Sequence, residues 1–178
     1  MTVRARTRRN ANAPVALTRM VARAPHILLC LALLAPSAQA AAAPHDWASL
    51  RDQAGAAVTY PRDVFAVAAG PGDPPGQMLA TADGRAHLHV FTVRNARGES
   101  PAQFLARVFP RDRSRLTYDR VARNFFAVSQ PSAGRRILYR RCNFVGPVIH
   151  CVDLQYPRAE KRAFDRLVTR ASLSLRPR

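Results

Sequence analysis

The chain has 178 residues, of which 48% are hydrophobic, and its 28 basic and 11 acidic side chains give a formal net charge of +17. A chain of this length buries a sufficient core without disulfide staples, so it is not a disulfide-dense mini-protein. Its longest apolar run has ten residues, about half of what a helix needs to cross a bilayer, which argues against a permanent membrane anchor.

The first 40 residues have the pattern of a secretory signal peptide. Arginines precede the apolar run His26–Ala35, and small residues stand at positions −3 and −1 of a cleavage point after Ala40. We therefore expect a periplasmic or secreted product. Because the leader before the apolar run is long and Met20 offers a second start, we interpret residues 1–19 as a start-site extension.

Residues 41–178 are expected to form a single domain with no transmembrane segment. Removal of residues 1–40 removes six arginines and no acidic residue, which leaves 22 basic and 11 acidic side chains. All of those basic residues except Lys161 are arginines, which indicates a coding bias in addition to a basic surface. An exported protein rarely meets nucleic acid, so an envelope protein, an anionic lipid or an acidic glycan is the expected kind of partner.

The first half of this domain is predicted to contain a short helix and four strands. The helix is expected at His45–Gln53, with Trp47 and Leu50 on one side. Residues 70–76 contain three prolines and three glycines, so they are predicted to form a loop. The predicted strands, of which the last two form a hairpin, are Val58–Tyr60, Val64–Ala68, Gln77–Thr81 and Arg85–Val93.

The second half is predicted to contain two helices and more strands. Ser100 and Gln103 form a capping box with Pro101 between them, which predicts the start of a helix. Two strands follow at Leu116–Val121 and Phe125–Gln130. A last helix begins near Pro157, with an apolar face of Ala163, Phe164, Leu167, Val168 and Ala171. The fold class is therefore α+β, with a single antiparallel sheet flanked by helices.

Two strands rich in β-forming residues, Ile137–Val145 and Val148–Tyr156, are separated only by Gly146-Pro147. If this dipeptide is the centre of the turn, residues whose numbers sum to 293 face each other. Cys142 then lies opposite Cys151, at a distance that permits a disulfide.

A structural disulfide is the favoured interpretation of this cysteine pair, because isolated pairs in exported proteins form bridges. The same register places Arg140 opposite Asp153. A redox-active pair and a metal site that includes His150 remain as alternatives.

Two Tyr-Pro motifs carry a resemblance to a known family. The segment Tyr60-Pro61-Arg62-Asp63-Val64-Phe65 resembles the Tyr-Pro opening of PsbP-like and DcrB-like exported domains. Tyr156-Pro157, which leads into the final amphipathic helix, is also similar. The resemblance implies an α/β/α sandwich with an antiparallel sheet between helices. It also implies an accessory or binding protein rather than an enzyme, and it supplies no functional residue.

His87 and His89 are the metal-ligand candidates, although no bound metal or other cofactor is expected. Two residues apart on a strand, they project from one face, and Asp83 in the adjoining turn offers a carboxylate. Two histidines are an incomplete site, so the competing interpretation is a polar strand face.

The arginines are the candidates for anion binding, because guanidinium groups pair with anions in two-point contacts. Tyr118 and Tyr139 lie near them in sequence and are expected to help frame a pocket. The candidate arginines are Arg111, Arg113, Arg115, Arg135, Arg136, Arg140 and Arg141.

These observations favour a non-catalytic accessory or binding module that recognises an anionic ligand or an envelope partner. No serine has the context of a nucleophile elbow, and no carboxylate pair stands out for acid–base chemistry. The first alternative is a metal-dependent enzyme or hydrolase that uses His87 and His89. The second is a structural component of an envelope complex.

Overall fold

The structure, a computed structural model, describes residues 44–109 and 113–177. The predicted signal peptide and start-site extension lie outside the described residues. Within the two ranges, none of the helices combines the length and the apolar character that a membrane span requires.

These residues form ten strands, two α-helices and two short 3-10 turns. The helices are α1 (Pro101–Val108) and α2 (Lys161–Leu173), and the 3-10 turns are Arg113–Arg115 and Arg158–Glu160. The strands are β1 (Trp47–Arg51), β2 (Ala56–Pro61), β3 (Val67–Ala68), β4 (Gly76–Ala80), β5 (His87–Arg94), β6 (Tyr118–Val121), β7 (Phe125–Ser132), β8 (Arg136–Val145), β9 (Val148–Pro157) and β10 (Arg176–Pro177).

The strands form two sheets, so the expectation of a single sheet is wrong. The larger sheet has the order β3-β4-β5-β9-β8-β7-β6, and the smaller has the order β1-β2-β10, with antiparallel neighbours throughout. The smaller sheet depends on β10, where Arg176 pairs with Ala57 from the other end of the described chain. A pairing this remote in sequence leaves no local pattern to read.

The helix predicted at His45–Gln53 is also wrong, because this segment contains strand β1. Trp47 is paired with Pro61, and Leu50 with Val58, so all five residues of β1 have partners on β2. An isolated helix of two turns is marginal in water, whereas pairing with β2 gives the segment backbone hydrogen bonds and contact with the core.

The strand predicted at Val64–Ala68 is reduced to β3, because Val64 and Phe65 lie in a turn in which both of their N–H groups bond to the Pro61 carbonyl. The remaining predicted elements are confirmed, with small changes at their ends. Strands β4 and β5 form the predicted hairpin, and β6 and β7 form the next one. Helix α1 begins at its predicted cap, where the Ser100 hydroxyl accepts a hydrogen bond from the Gln103 N–H. The Gln103 side chain in turn accepts one from the Ser100 N–H at 2.9 Å. Both halves of the capping box are therefore present.

The two helices lie on opposite faces of the larger sheet, because strand residues alternate between two buried clusters. Leu88 and Val90 of β5 pack with the apolar residues of α2 and with Val58 of the smaller sheet. Phe91, one position further along, packs on the other face with Phe104 of α1. Burial on both faces is the sandwich that the predicted elements imply.

The register of the β8–β9 hairpin is the predicted one. Cys142 is paired with Cys151, and Phe144 with Ile149, so paired residue numbers sum to 293 along both strands. The two cysteines are joined by a disulfide with an S–S distance of 2.01 Å, and both are fully buried in the α1-side cluster. A shielded bridge between central strands acts as a structural staple.

Candidate functional site

The candidate arginines do not form one cluster. Arg111 and the side chain of Arg113 lie outside the described residues. Arg115 is exposed in the first 3-10 turn, and Arg135 occupies the β7–β8 turn with a φ of 57°. Arg136 donates a hydrogen bond to the Gln155 side chain at 3.1 Å. Arg141 is the candidate that faces helix α2, and neither Arg135 nor Arg136 lies beside it there.

Arg140 is committed to a structural ion pair on the α1 side of the sheet. Its Nε donates to Asp153 Oδ1 at 2.6 Å, and its Nη2 donates to the second carboxylate oxygen. The guanidinium also lies over the rings of Phe91 and Phe109. Burial by itself lowers the pKa of Arg140, but the hydrogen bonds and charge of Asp153 raise it, so the net shift is upward. This charge is neutralised within the protein.

Arg141 faces the opposite way, into a groove between α2 and strands β6, β7 and β8, which we call the α2–β6 groove. Arg141 and Arg120 are both paired with Ala127, from the strands on either side of it. Their guanidinium carbons lie 4.1 and 5.5 Å from the centroid of the Phe125 ring. Ala127 is small and buried, so β7 places no large side chain between Arg120 and Arg141, which both line the groove.

Two tyrosines also line the α2–β6 groove, as the sequence analysis expected. Tyr118 is 45% exposed, and Tyr139 donates a hydrogen bond from its hydroxyl to Ser172 Oγ of α2 at 3.3 Å. Burial raises the pKa of Tyr139, so its hydroxyl remains protonated at neutral pH. The groove has a volume of about 630 Å³, within the range of small-molecule sites.

The groove carries uncompensated positive charge. Within 44–109 and 113–177, no carboxylate forms an ion pair with Arg120 or Arg141. Arg141 Nε donates to Asn143 Oδ1 at 3.0 Å, which orients its guanidinium without neutralising it. Asp165 of α2 also lines the groove, but it accepts two hydrogen bonds from Lys161 at 2.8 and 2.9 Å. The net result is a cationic groove with aromatic walls.

His87 and His89 lie on the α1 face of β5 and line a separate cavity of about 350 Å³ with Met78 and Asp153. Buried ring nitrogens of both histidines, Nδ1 of His87 and Nε2 of His89, have no hydrogen-bond partner. Burial lowers the pKa of His89, which favours the neutral ring. His89 is stacked on Phe91, which removes it from the exposed polar face that the competing interpretation assumed.

Asp83 does not join the two histidines. Its carboxylate accepts hydrogen bonds from the Thr81 hydroxyl at 2.6 Å and from Arg85 at 2.6 Å, and these bonds lower its pKa. Among the described residues, no group of three or more histidine, cysteine, aspartate or glutamate side chains is arranged to hold a metal ion.

Arg120 is the groove residue that the sequence analysis missed. The β6–β7 hairpin was predicted, and its register pairs Tyr118 with Ser129 and Arg120 with Ala127. Side chains two residues apart on a strand share a face, so the position of Arg120 two residues after Tyr118 indicates that both line the same groove. The pair of Arg120 and Arg141 is formed across strands β6, β7 and β8, so it does not stand out as a run in the sequence.

The sheet order, the two flanking helices and the buried hairpin together define a PsbP-like fold. The solution structure of cyanobacterial PsbP (CyanoP) from Synechocystis sp. PCC 6803 is similar to 77% of this chain and to 95% of that protein, with a TM-score of 0.54 and 10% sequence identity. No family model matches the sequence, and no curated protein matches it either. The likeness is therefore one of fold.

Proposed function

We propose that this chain is a non-catalytic accessory module that binds an anionic ligand in the α2–β6 groove. The observation that carries the proposal is the pair formed by Arg120 and Arg141, which lack carboxylate partners among the described residues and both lie against the Phe125 ring. The resemblance to PsbP-like domains supports an accessory role, because it implies binding proteins rather than enzymes.

The ligand is expected to combine a negative charge with a flat apolar body. Two guanidinium groups pair best with the oxygens of a carboxylate, sulfonate or phosphate. The exposed face of Tyr118 and the side chain of Leu173, which is 67% exposed, offer contact to an apolar body in the same groove. Tyr139 acts as a hydrogen-bond donor rather than a base, because its pKa is raised by burial.

Binding is tested with two fluorescent probes of similar shape, the anion anilinonaphthalene sulfonate and the neutral N-phenylnaphthylamine. We expect the anion to bind more tightly than the neutral probe. The variant R120Q/R141Q should weaken binding of the anion by about tenfold or more, because it removes charge-assisted contacts. The matched control R94Q/R97Q removes the same charge from exposed positions outside the groove.

Equal affinity of the two probes would overturn an electrostatic site. Equal losses in R120Q/R141Q and R94Q/R97Q would show that net charge, and not the groove, attracts the anion. A circular-dichroism spectrum of each variant establishes that the fold is retained before affinities are compared.

We further propose that residues 1–40 are removed on export and that residues 41–178 act as one domain in the periplasm or outside the cell. The Cys142–Cys151 disulfide supports this proposal, because such bonds persist in oxidising compartments. The intact mass of protein recovered from the exported fraction tests it. We expect a chain that begins at Ala41 and is two hydrogens lighter than its dithiol form, whereas a full-length chain with free thiols would contradict both points.

A further inference from the structure

Three arginines form a line on the solvent side of α2, beside the helix residues that line the α2–β6 groove. Arg162, Arg166 and Arg170 are spaced four residues apart and are all exposed. That spacing places them on one side of the helix, with a rise of about 6 Å between neighbours. We call this line the arginine ridge. The other side of α2 is buried against the core and consists of Phe164, Leu167, Val168 and Ala171.

The ridge is not neutralised within the described part of the chain. Like charges four residues apart destabilise a helix. Acidic side chains close to the ridge would be needed to neutralise its arginines. Asp165 is the one carboxylate on α2, and it is hydrogen-bonded to Lys161. No described carboxylate forms an ion pair with Arg162, Arg166 or Arg170. The arrangement therefore costs helix stability, and a negatively charged partner would offset that cost.

Apolar side chains accompany the ridge at the same surface. The Arg170 guanidinium carbon lies 4.0 Å from the centroid of the Trp47 ring. Trp47 also lines a cavity of about 610 Å³ together with Arg162 and Arg166. Leu173, one turn beyond Arg170, is 67% exposed. Arginines with a tryptophan and an exposed leucine are the combination found where proteins rest on a lipid–water interface.

We propose that the arginine ridge and Trp47 form a surface that binds an anionic phospholipid bilayer. The guanidinium groups pair with lipid phosphates, and the Trp47 ring enters the interface beside Arg170. The apolar side chains favour a lipid surface over an acidic glycan or protein segment, to which charge alone would be complementary. The three ridge arginines and Trp47 do not line the α2–β6 groove, which this surface meets only at its edge near Leu173, so the proposal goes beyond the proposed function.

Trp47 is the single tryptophan of the chain, so its fluorescence reports directly on this surface. The full chain is titrated with vesicles of equimolar phosphatidylcholine and phosphatidylglycerol, and separately with pure phosphatidylcholine. We expect a blue shift of Trp47 emission and quenching by brominated lipid with the anionic vesicles only. Binding should weaken steeply as salt is raised.

The variant R162Q/R166Q/R170Q should lower the partition coefficient onto anionic vesicles on the order of a hundredfold, because the three arginines contribute about equally to binding of an anionic surface. The matched control R94Q/R97Q/R123Q loses the same three charges at exposed positions elsewhere and should bind nearly as well as the wild type. The groove variant R120Q/R141Q should also keep vesicle binding, which distinguishes this surface from the proposed ligand site.

Equal losses in the ridge variant and the matched control would overturn the proposal, because net charge would then explain the binding. Ridge-dependent binding of a sulfated polysaccharide without binding to anionic vesicles would overturn it in favour of an acidic glycan. Vesicle binding with no change in Trp47 emission or quenching would exclude this face as the contact.

Discussion

The buried carboxylate of Asp153 compensates the positive charge of Arg140, which itself lies in a largely buried position. Asp153 is 9% exposed, and its two oxygens accept hydrogen bonds from the Arg140 guanidinium, which lies over two aromatic rings. Loss of the carboxylate would leave an uncompensated charge in a largely buried position.

We therefore predict that Asp153→Asn lowers the free energy of unfolding by about 3 kcal/mol or more, measured by urea denaturation. Asp83→Asn is the control, because the Asp83–Arg85 pair is exposed and should matter far less. A similar small loss in both variants would show that Arg140 finds another partner or reaches water.

The disulfide makes a second prediction about single residues. The double variant C142A/C151A should lower the free energy of unfolding by about 2–3 kcal/mol, because the bridge closes a ring of about ten residues. Either single alanine variant also breaks the bridge, so each should cost nearly as much as the double variant. Additive losses in a denaturation series would show that packing of the two side chains, and not the covalent bond, stabilises the hairpin.

At the scale of elements, helix α1 depends on its first turn. It has only eight residues, and the reciprocal bonds between Ser100 and Gln103 satisfy N–H groups that the helix leaves unpaired. Ser100→Ala should lower the free energy of unfolding by about 1 kcal/mol, while Ser100→Asp should retain most of it. Thermal unfolding of both variants checks this prediction, and equal losses would contradict a capping role.

Elements held by local chemistry were predictable from the sequence, and elements held by distant pairing were not. The β8–β9 register follows from the position of Gly146-Pro147, and the start of α1 follows from its cap. In contrast, Trp47 and Leu50 are three residues apart, a spacing that places both on one side of a helix and so predicts a helix. This segment becomes a strand only because it pairs with β2, which lies later in the chain.

The candidate site was predictable in part for the same reason. Tyr118, Tyr139 and Arg141 were identified from sequence, and the structure brings them together. Arg120 was missed, because its proximity to Arg141 arises only when β6, β7 and β8 are aligned side by side. The arginine ridge follows a simple spacing of four, but its significance depends on which helix face is buried.

At the scale of the whole molecule, two buried histidines couple stability to pH. His89 lies under the loop before β4, near Asp153 and Arg140, and burial lowers its pKa. Burial also lowers the pKa of His150, whose Nδ1 is 2.8 Å from the Thr92 hydroxyl. That hydroxyl donates to Asp52 at 2.7 Å, and the charge of Asp52 opposes the shift of His150.

Lowered pKa values mean that the unfolded chain binds protons more readily than the folded chain. The stability that comes from neutral His89 and His150 is therefore fully present above their ordinary pKa of 6.5 and is lost as the pH falls below it. The free energy of unfolding, measured by urea denaturation, should therefore fall between about pH 7.5 and pH 5, because the unfolded chain binds protons there that the folded chain does not bind. His89→Gln should reduce the slope, and an unchanged slope would show that His89 does not contribute.

The position of the sulfur atoms has a consequence for how the protein moves. Both are completely shielded from solvent, and they lie on the α1 face of strands β8 and β9 among the apolar residues of that face. A small reductant in native buffer reaches them only when α1 and the apolar side chains that cover this face move away from the sheet. The half-life of the bond in excess dithiothreitol therefore measures how often this part of the protein opens spontaneously. The measurement requires no denaturant.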